Sequence, residues 1–510
     1  MGSDTDLIGC PICSTLNQKH RKYCQNCLSR IDNADGLSVS EAQHIQDSIR
    51  QKRKRRRLAT IGLGFVLVVL AATFLIRELL FPYSFANAPE GDLAVSVTED
   101  TWPKRYRSIS NNSRMEIDIG ISEGKFSEIY RSSGTLSAPV FNRGNIYVSS
   151  ESGYVLAIDQ VSYEKKWLYE NGGPIDSSPL IAGNQAFWGL RDGSVISVNS
   201  ETGAEIWVHK SEGYKTYPLS VHSGILFAPS GDRKLYALDA LNGDVLWEYD
   251  AADIIVGGVA LVNDVVVFNT ATGFVNVLDL KSGRRKIFVK VAGLSGSPTV
   301  INGRVIVADN KGFVYEINPN NRAYPFEKAI RWVMLQLWAW GVRGPLDPPR
   351  GLERVAYFKD SNFSSSISSD NQDVFVLSVP LHKCSINSYI ARNNPRTALD
   401  RACAFGSLGR LHSINRTDME LNWTYQTERS RKGSFFREPP LIFNNIAIIG
   451  DGSGLLHIID LETGDHLAEY DLLSSISEPP VYSDGHVYIV TDNGVLHALP
   501  VEASLGLSRR

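Results

Sequence analysis

The chain has 510 residues, a formal net charge of −3 and 43% hydrophobic content, which excludes a largely disordered protein and allows more than one folded region. Its charge is unevenly spread: residues 1–57 hold 11 Lys/Arg against 6 Asp/Glu, and the rest 41 against 49. The large acidic part repels phosphate backbones, so nucleic acid is excluded as its ligand.

At the N-terminus, Cys10-Pro-Ile-Cys13 and Cys24-Gln-Asn-Cys27 form two CxxC knuckles separated by ten residues. Two tight turns at that spacing present four thiolates tetrahedrally to one structural Zn²⁺. So short a segment has no hydrophobic core of its own, so the metal supplies much of its folding energy. A thioredoxin-like motif would need a βαβ context, and paired disulfides are disfavoured in a reducing compartment. Residues 8–29 resemble the short zinc ribbons at the cytoplasmic ends of bacterial membrane proteins. The resemblance implies a docking module with a cytoplasmic partner.

Residues 37–57 read as a basic juxtamembrane segment ending in the run from Lys52 to Arg57, and residues 58–76 are 19 consecutive residues without a charge. As a helix they would span about 28 Å, close to a hydrocarbon core of roughly 30 Å. The basic run then predicts a single-pass bacterial inner-membrane protein, N-terminus cytoplasmic and the remainder periplasmic. Residues 77–124 read as a linker.

From 125 to 502 the expected fold is all-β: an eight-bladed β-propeller. The second half of each unit reads GYVLAID (153–159), GSVISVN (193–199), RKLYALD (233–239), GFVNVLD (273–279), GFVYEIN (312–318), GRLHSIN (409–415), GLLHIID (454–460) and GVLHALP (494–500). The spacing of about 40 residues is that of four-stranded blades. Trp167, Trp207, Trp247 and Trp423 each lie eight residues beyond the closing Asp or Asn and are expected as structural wedges between blades. The last unit lacks an outer strand, which residues 125–131 can supply, closing the ring.

Two insertions interrupt the repeat, near 320–352 and 380–405. The first contains a predicted helix, 326–341, with Ile330, Val333, Met334, Leu337 and Trp338 on one face and Trp332, Leu335 and Trp340 on the other. It reads either as a cap or as a partner-binding surface carried by Trp332, Trp338 and Trp340. Blade five then takes its outer strand either near Phe326 or from 353–358. The second insertion is flanked by Cys384 and Cys403, expected as a disulfide staple, with two free thiols as the alternative.

The pattern Asn199-Ser-Glu-Thr-Gly-Ala-Glu-Ile-Trp207 resembles the repeat of pyrroloquinoline-quinone (PQQ) propellers. That family includes quinoprotein alcohol dehydrogenases and the non-catalytic BamB-like scaffolds of outer-membrane protein assembly. Dehydrogenases of the family carry a vicinal Cys-Cys pair; here Cys384 and Cys403 stand 19 apart. The resemblance therefore implies a scaffold without PQQ and without catalysis, binding envelope or inner-membrane proteins. A transmembrane sensor with a ligand in the propeller channel is the second reading, and a PQQ-dependent dehydrogenase the third.

Overall fold

The computed structural model describes residues 7–503 except 14, 32–37, 81–88, 99–100, 122–125, 176, 215–216, 295, 322–326, 343–350, 359–360, 364–366, 371, 381–408 and 428–434. Cys384 and Cys403 lie outside the described residues. The chain divides into two compact units, Met1–Tyr83 and Ser84–Arg510.

The first unit holds a two-stranded antiparallel hairpin, Leu7–Gly9 against Leu16–Gln18, followed by the helix Val39–Leu80. Ser38 opens that helix, and its backbone N–H donates to the Glu41 carboxylate at 3.1 Å, a capping box. Among the described residues no helix is long and apolar enough to cross a membrane. This corrects the expected span at 58–76, and with it the placement in the inner membrane with a cytoplasmic N-terminus and a periplasmic propeller. The helix runs without a break from a polar first half, which carries the basic run from Lys52 to Arg57.

The second unit contains eight antiparallel sheets, the eight blades expected from the repeat. Within blades one to five and blade seven, four strands lie in chain order from one edge to the other, as in Ser220–His222, Ile225–Pro229, Lys234–Asp239 and Val245–Asp250. The middle strands are apolar on both faces and fully buried, for example Val265–Thr270, because each sheet is covered on both sides by its neighbours. In blade eight the last strand, Val495–Ala503, pairs with Ser127–Arg131 from the other end of the unit. Its far end also pairs with Ile119–Ile121, so the outer edge of the last strand is covered where the ring closes.

The Thr-Gly turn and the tryptophan act on each other across blades. Trp167, Trp207, Trp247 and Trp423 donate their indole N–H to Ser200 O, Ala240 O, Leu280 O and Leu461 O of the following blade, at 2.9, 3.2, 3.1 and 3.1 Å. Each ring lies on the turn glycine of that blade: a Cβ at Gly464 would stand 2.6 Å from the Trp423 ring, and one at Gly203 2.9 Å from Trp167. Glycine at that turn thus serves two needs, a φ of +78° at Gly464 and the close approach of an indole.

Blade five takes its outer strand from Leu352–Tyr357, paired with Phe313–Ile317, which settles the choice between the two candidate segments. The helix Glu327–Ala339 sits in the connection from the third to the fourth strand of blade five. The second insertion leaves blade six between its second and third long strands, Asp373–Pro380 and Arg410–Asn415. Successive strands run in opposite directions, so the two insertions depart from opposite faces of the propeller.

Candidate functional site

Three places carry chemistry or an accessible surface: the propeller axis, the blade-five helix and the N-terminal cysteines. In a propeller the first strand of every blade lines the axis. Here residues 102–115 lie there, and at least one hydrogen bond or ion pair joins them to every blade. Trp102 N–H donates to Phe141 O at 2.9 Å in blade one, and Ile181 N–H of blade two donates to Pro103 O at 2.8 Å. Lys104 Nζ donates to Ser220 Oγ of blade three at 2.7 Å. Leu261 and Val300, of blades four and five, donate to Ile109 O and Ser110 O, both at 2.9 Å. Asn112 reaches Ser369 of blade six at 3.1 Å, and Ile442 of blade seven donates to Ser113 O at 3.0 Å. Arg105 bridges Glu438 at 3.0 Å and Glu478 at 2.5 Å, ahead of the first strands of blades seven and eight.

This plug is polar and buried, so its charges are displaced from their ordinary states. Burial lowers Lys104 to about 7; the acceptors that its ammonium meets, Ser220 and Asn111, are both neutral. Burial raises Glu478 to about 7, with Arg105 pulling the other way. Trp102 and Met115 are wholly buried and anchor the segment in the core beneath blades one, seven and eight. Two clefts of about 560 and 470 Å³ flank it, the first against Asn142, Gly183 and Asp484, the second against Met115 and Val300. Nothing in the repeat pattern points to this segment; its signal lies in contacts between residues far apart in the chain, as in Tyr106 and Glu438, 332 positions away.

The helix Glu327–Ala339 has no buried residue among those whose side chains are described. Trp332 is 63% exposed, Trp338 48%, and Trp340, just beyond its end, 73%. Val333, Leu335 and Val342 are exposed beside them. The structure thus leaves the three tryptophans exposed on or just beyond one helix, while Trp167, Trp207, Trp247 and Trp423 lie within blade interfaces.

Cys10, Cys13, Cys24 and Cys27 converge: one sulfur from each lies within 4.8 Å of the others. The Cys13–Cys24 and Cys10–Cys27 sulfurs are 3.4 and 3.6 Å apart. Burial pushes the Cys24 thiol up, but N–H groups of Cys27 and Asn26 and the neighbouring Cys13 and Asn17 side chains outweigh it and hold it at about 6. Backbone N–H groups aimed at sulfur favour the thiolate, the form that ligates metal. The donor set fits a four-coordinate metal of the zinc type.

Comparison with known proteins adds the following. The family model described as "Outer membrane protein assembly factor BamB" matches residues 191–321 and 396–504. The outer membrane protein assembly factor BamB of Nitrosomonas eutropha is 28% identical over 113 residues, covering 22% of this chain and 27% of that protein; this chain thus spans about a quarter of that relative. BamB of Moranella endobia is 20% identical over 386 residues, covering 66% of this chain and 90% of the relative. Among solved structures, BamB from Moraxella catarrhalis superimposes with a TM-score of 0.51 at 14% identity, covering 76% of this chain and all of that one. The quinohemoprotein alcohol dehydrogenase from Comamonas testosteroni reaches 0.55 at 14% identity, covering 80% and 81%. The large unit of this chain is therefore an eight-bladed β-propeller, similar in sequence to BamB over the matched residues.

Proposed function

We propose that this chain is a non-catalytic scaffold for protein assembly in the bacterial envelope, binding its partners through the rim of the propeller. The observation that carries this reading is the plug: the chain's own residues 102–115 occupy the axis and bond to all eight blades. A cofactor or small ligand at the axis would have to displace them. That counts against a channel-binding sensor and against PQQ chemistry, while leaving the rim available. The similarity to proteins named as outer membrane protein assembly factors supports the envelope-assembly setting.

On this reading the exposed Trp332, Trp338 and Trp340 anchor an envelope protein, and the N-terminal cysteines hold a structural zinc that orders a small docking module. Aromatic anchors at an interface each contribute about 2 kcal/mol or more on truncation. Replacing the three tryptophans by Ala is expected to release envelope-assembly partners recovered by affinity purification with the unaltered chain, while thermal unfolding stays within about 1 °C. Unfolding without a separable binding defect, or an unchanged set of partners, would overturn the assignment of binding to this helix.

A further inference from the structure

Blade seven combines three donor side chains that none of the other seven repeats combines. The second-half motif places Leu156, Ile196 and Tyr236 where blade seven has His457. His457 is buried, and opposite it on the outer strand stands Glu469, with His466 two pairs further along, opposite Ile459. Residues 466 and 469 are three apart, so in a regular strand they would point to opposite faces. The register shift between Ile458 and Ile459 inserts Leu467 as an extra residue. This bulge puts His466 and Glu469 on the face that His457 occupies.

The result is two imidazoles and a carboxylate with one ligand atom each inside 4.8 Å. His457 Nδ1 lies 3.9 Å from a Glu469 oxygen. Donors around a tetrahedral ion with bonds of about 2.0–2.1 Å stand about 3.4 Å apart, so a small inward movement completes the set. The opposite ring nitrogen of His457, Nε2, faces the fully buried carboxylate of Asp451 at 3.5 Å. Asp451 is itself fixed by the N–H groups of Ser453 and Leu455, both at 2.9 Å. A carboxylate behind the far nitrogen holds the proton there and leaves the near nitrogen as a lone pair, the usual support of a metal-binding histidine. Tyr425, from blade six, places its hydroxyl 3.1 Å from that lone pair and stacks its ring on His466, centroids 6.1 Å apart at 15°.

The same motif position carries histidine in two other blades, and these act as internal comparisons. His412 is occupied by Ser378 at 2.6 Å and Thr424 at 2.9 Å, with Leu421 where blade seven has His466. His497 meets Thr491 at 3.3 Å and no second histidine. Only the blade-seven histidine is joined by two more donors among the described residues.

We propose that His457, His466 and Glu469 form a second metal site, separate from the cysteine cluster, taking a divalent transition-metal ion such as Zn²⁺ through two nitrogens and one oxygen. The ion replaces the Tyr425 hydrogen bond to His457 and ties the outer strand of blade seven to the strand inside it. An exposed His466 leaves one side of the ion open to water or to a partner's side chain.

The test uses the full chain without an affinity tag, stripped by chelator, equilibrated with Zn²⁺ and freed of excess before elemental analysis. His466→Ala and Glu469→Gln are each expected to carry one zinc per chain fewer than the unaltered protein, and His486→Ala the same number. Because the readout is a difference, it does not depend on what the cysteines bind. Equal zinc in all four proteins would overturn the site. A measurement without substitutions runs beside it: Zn²⁺ should protect His466 of the unaltered chain from diethyl pyrocarbonate, read by peptide mapping. Equal modification with and without Zn²⁺ would overturn the proposal whether or not the variants fold.

Discussion

Arg105 is the charge on which the plug depends, and its replacement by Met tests whether the segment is an integral part of the ring. Its side chain is 11% exposed and its partners Glu438 and Glu478 are 22% and 17% exposed. Breaking a buried pair by removing one partner costs about 3–5 kcal/mol; the residual exposure places Arg105→Met near the lower figure, about 3 kcal/mol at pH 8. The deficit is expected to depend on pH, with a definite sign. Glu478 titrates at about 7 in the folded chain against an ordinary 4.5. The folded state therefore holds the extra proton between those values, and stability falls as pH rises through that window. Without Arg105 the carboxyl is pushed higher, so the fall continues above pH 7, by about 1.4 kcal/mol for each further pKa unit. Urea unfolding followed by tryptophan fluorescence at pH 5 and pH 8 should show the larger deficit at pH 8. Equal deficits at both values, or a loss below about 0.5 kcal/mol, the range of an unremarkable surface change, would refute the argument that Arg105 neutralises buried carboxylates at the axis.

Lys104 acts in the opposite sense: its folded value near 7 lies below the ordinary 10.5, so stability should rise with pH between about 7 and 10.5. Lys104→Met should flatten that arm of the stability profile; an unchanged slope would refute it. Arg233 occupies the turn position that is glycine in the other seven motifs and adopts φ of +74°, so Arg233→Gly should stabilise the propeller by about 1 kcal/mol, read as a higher urea midpoint. Zinc loading of the stripped chain should remove four thiols from reaction with a thiol reagent and chelation should restore them; loss of one or none would refute a four-cysteine centre.

The number of blades, the strand order and the closing strand at Ser127–Arg131 were all readable from the chain, because the repeat records contacts that are local and recur every 40 residues. A strand that pairs with its sequence neighbour leaves period-two alternation and a turn residue, and eight copies amplify a signal that one copy would carry weakly. The cysteine knuckles were legible for a similar reason, since two short turns determine their own geometry. The helix in blade five announced itself by period, whereas its exposure on both sides did not, because apolar content alone does not say whether a neighbour covers it.

What only the tertiary structure decided are features whose partners are scattered over the ring. Residues 102–115 carry no periodicity; their polar contacts are spread over all the blades, and only the closed circle brings eight first strands to one axis. The blade-seven donors His457, His466 and Glu469 look misplaced for a common site until the bulge at Leu467 resets the strand's alternation. The apolar stretch at 58–76 is the converse case: hydropathy suggested a span, and the described helix, continuous with its polar first half, does not present one long enough to cross a hydrocarbon core. Local pattern determines which elements form; which side chains meet is determined by the ring's closure and by the bulge that recurs in the outer strands.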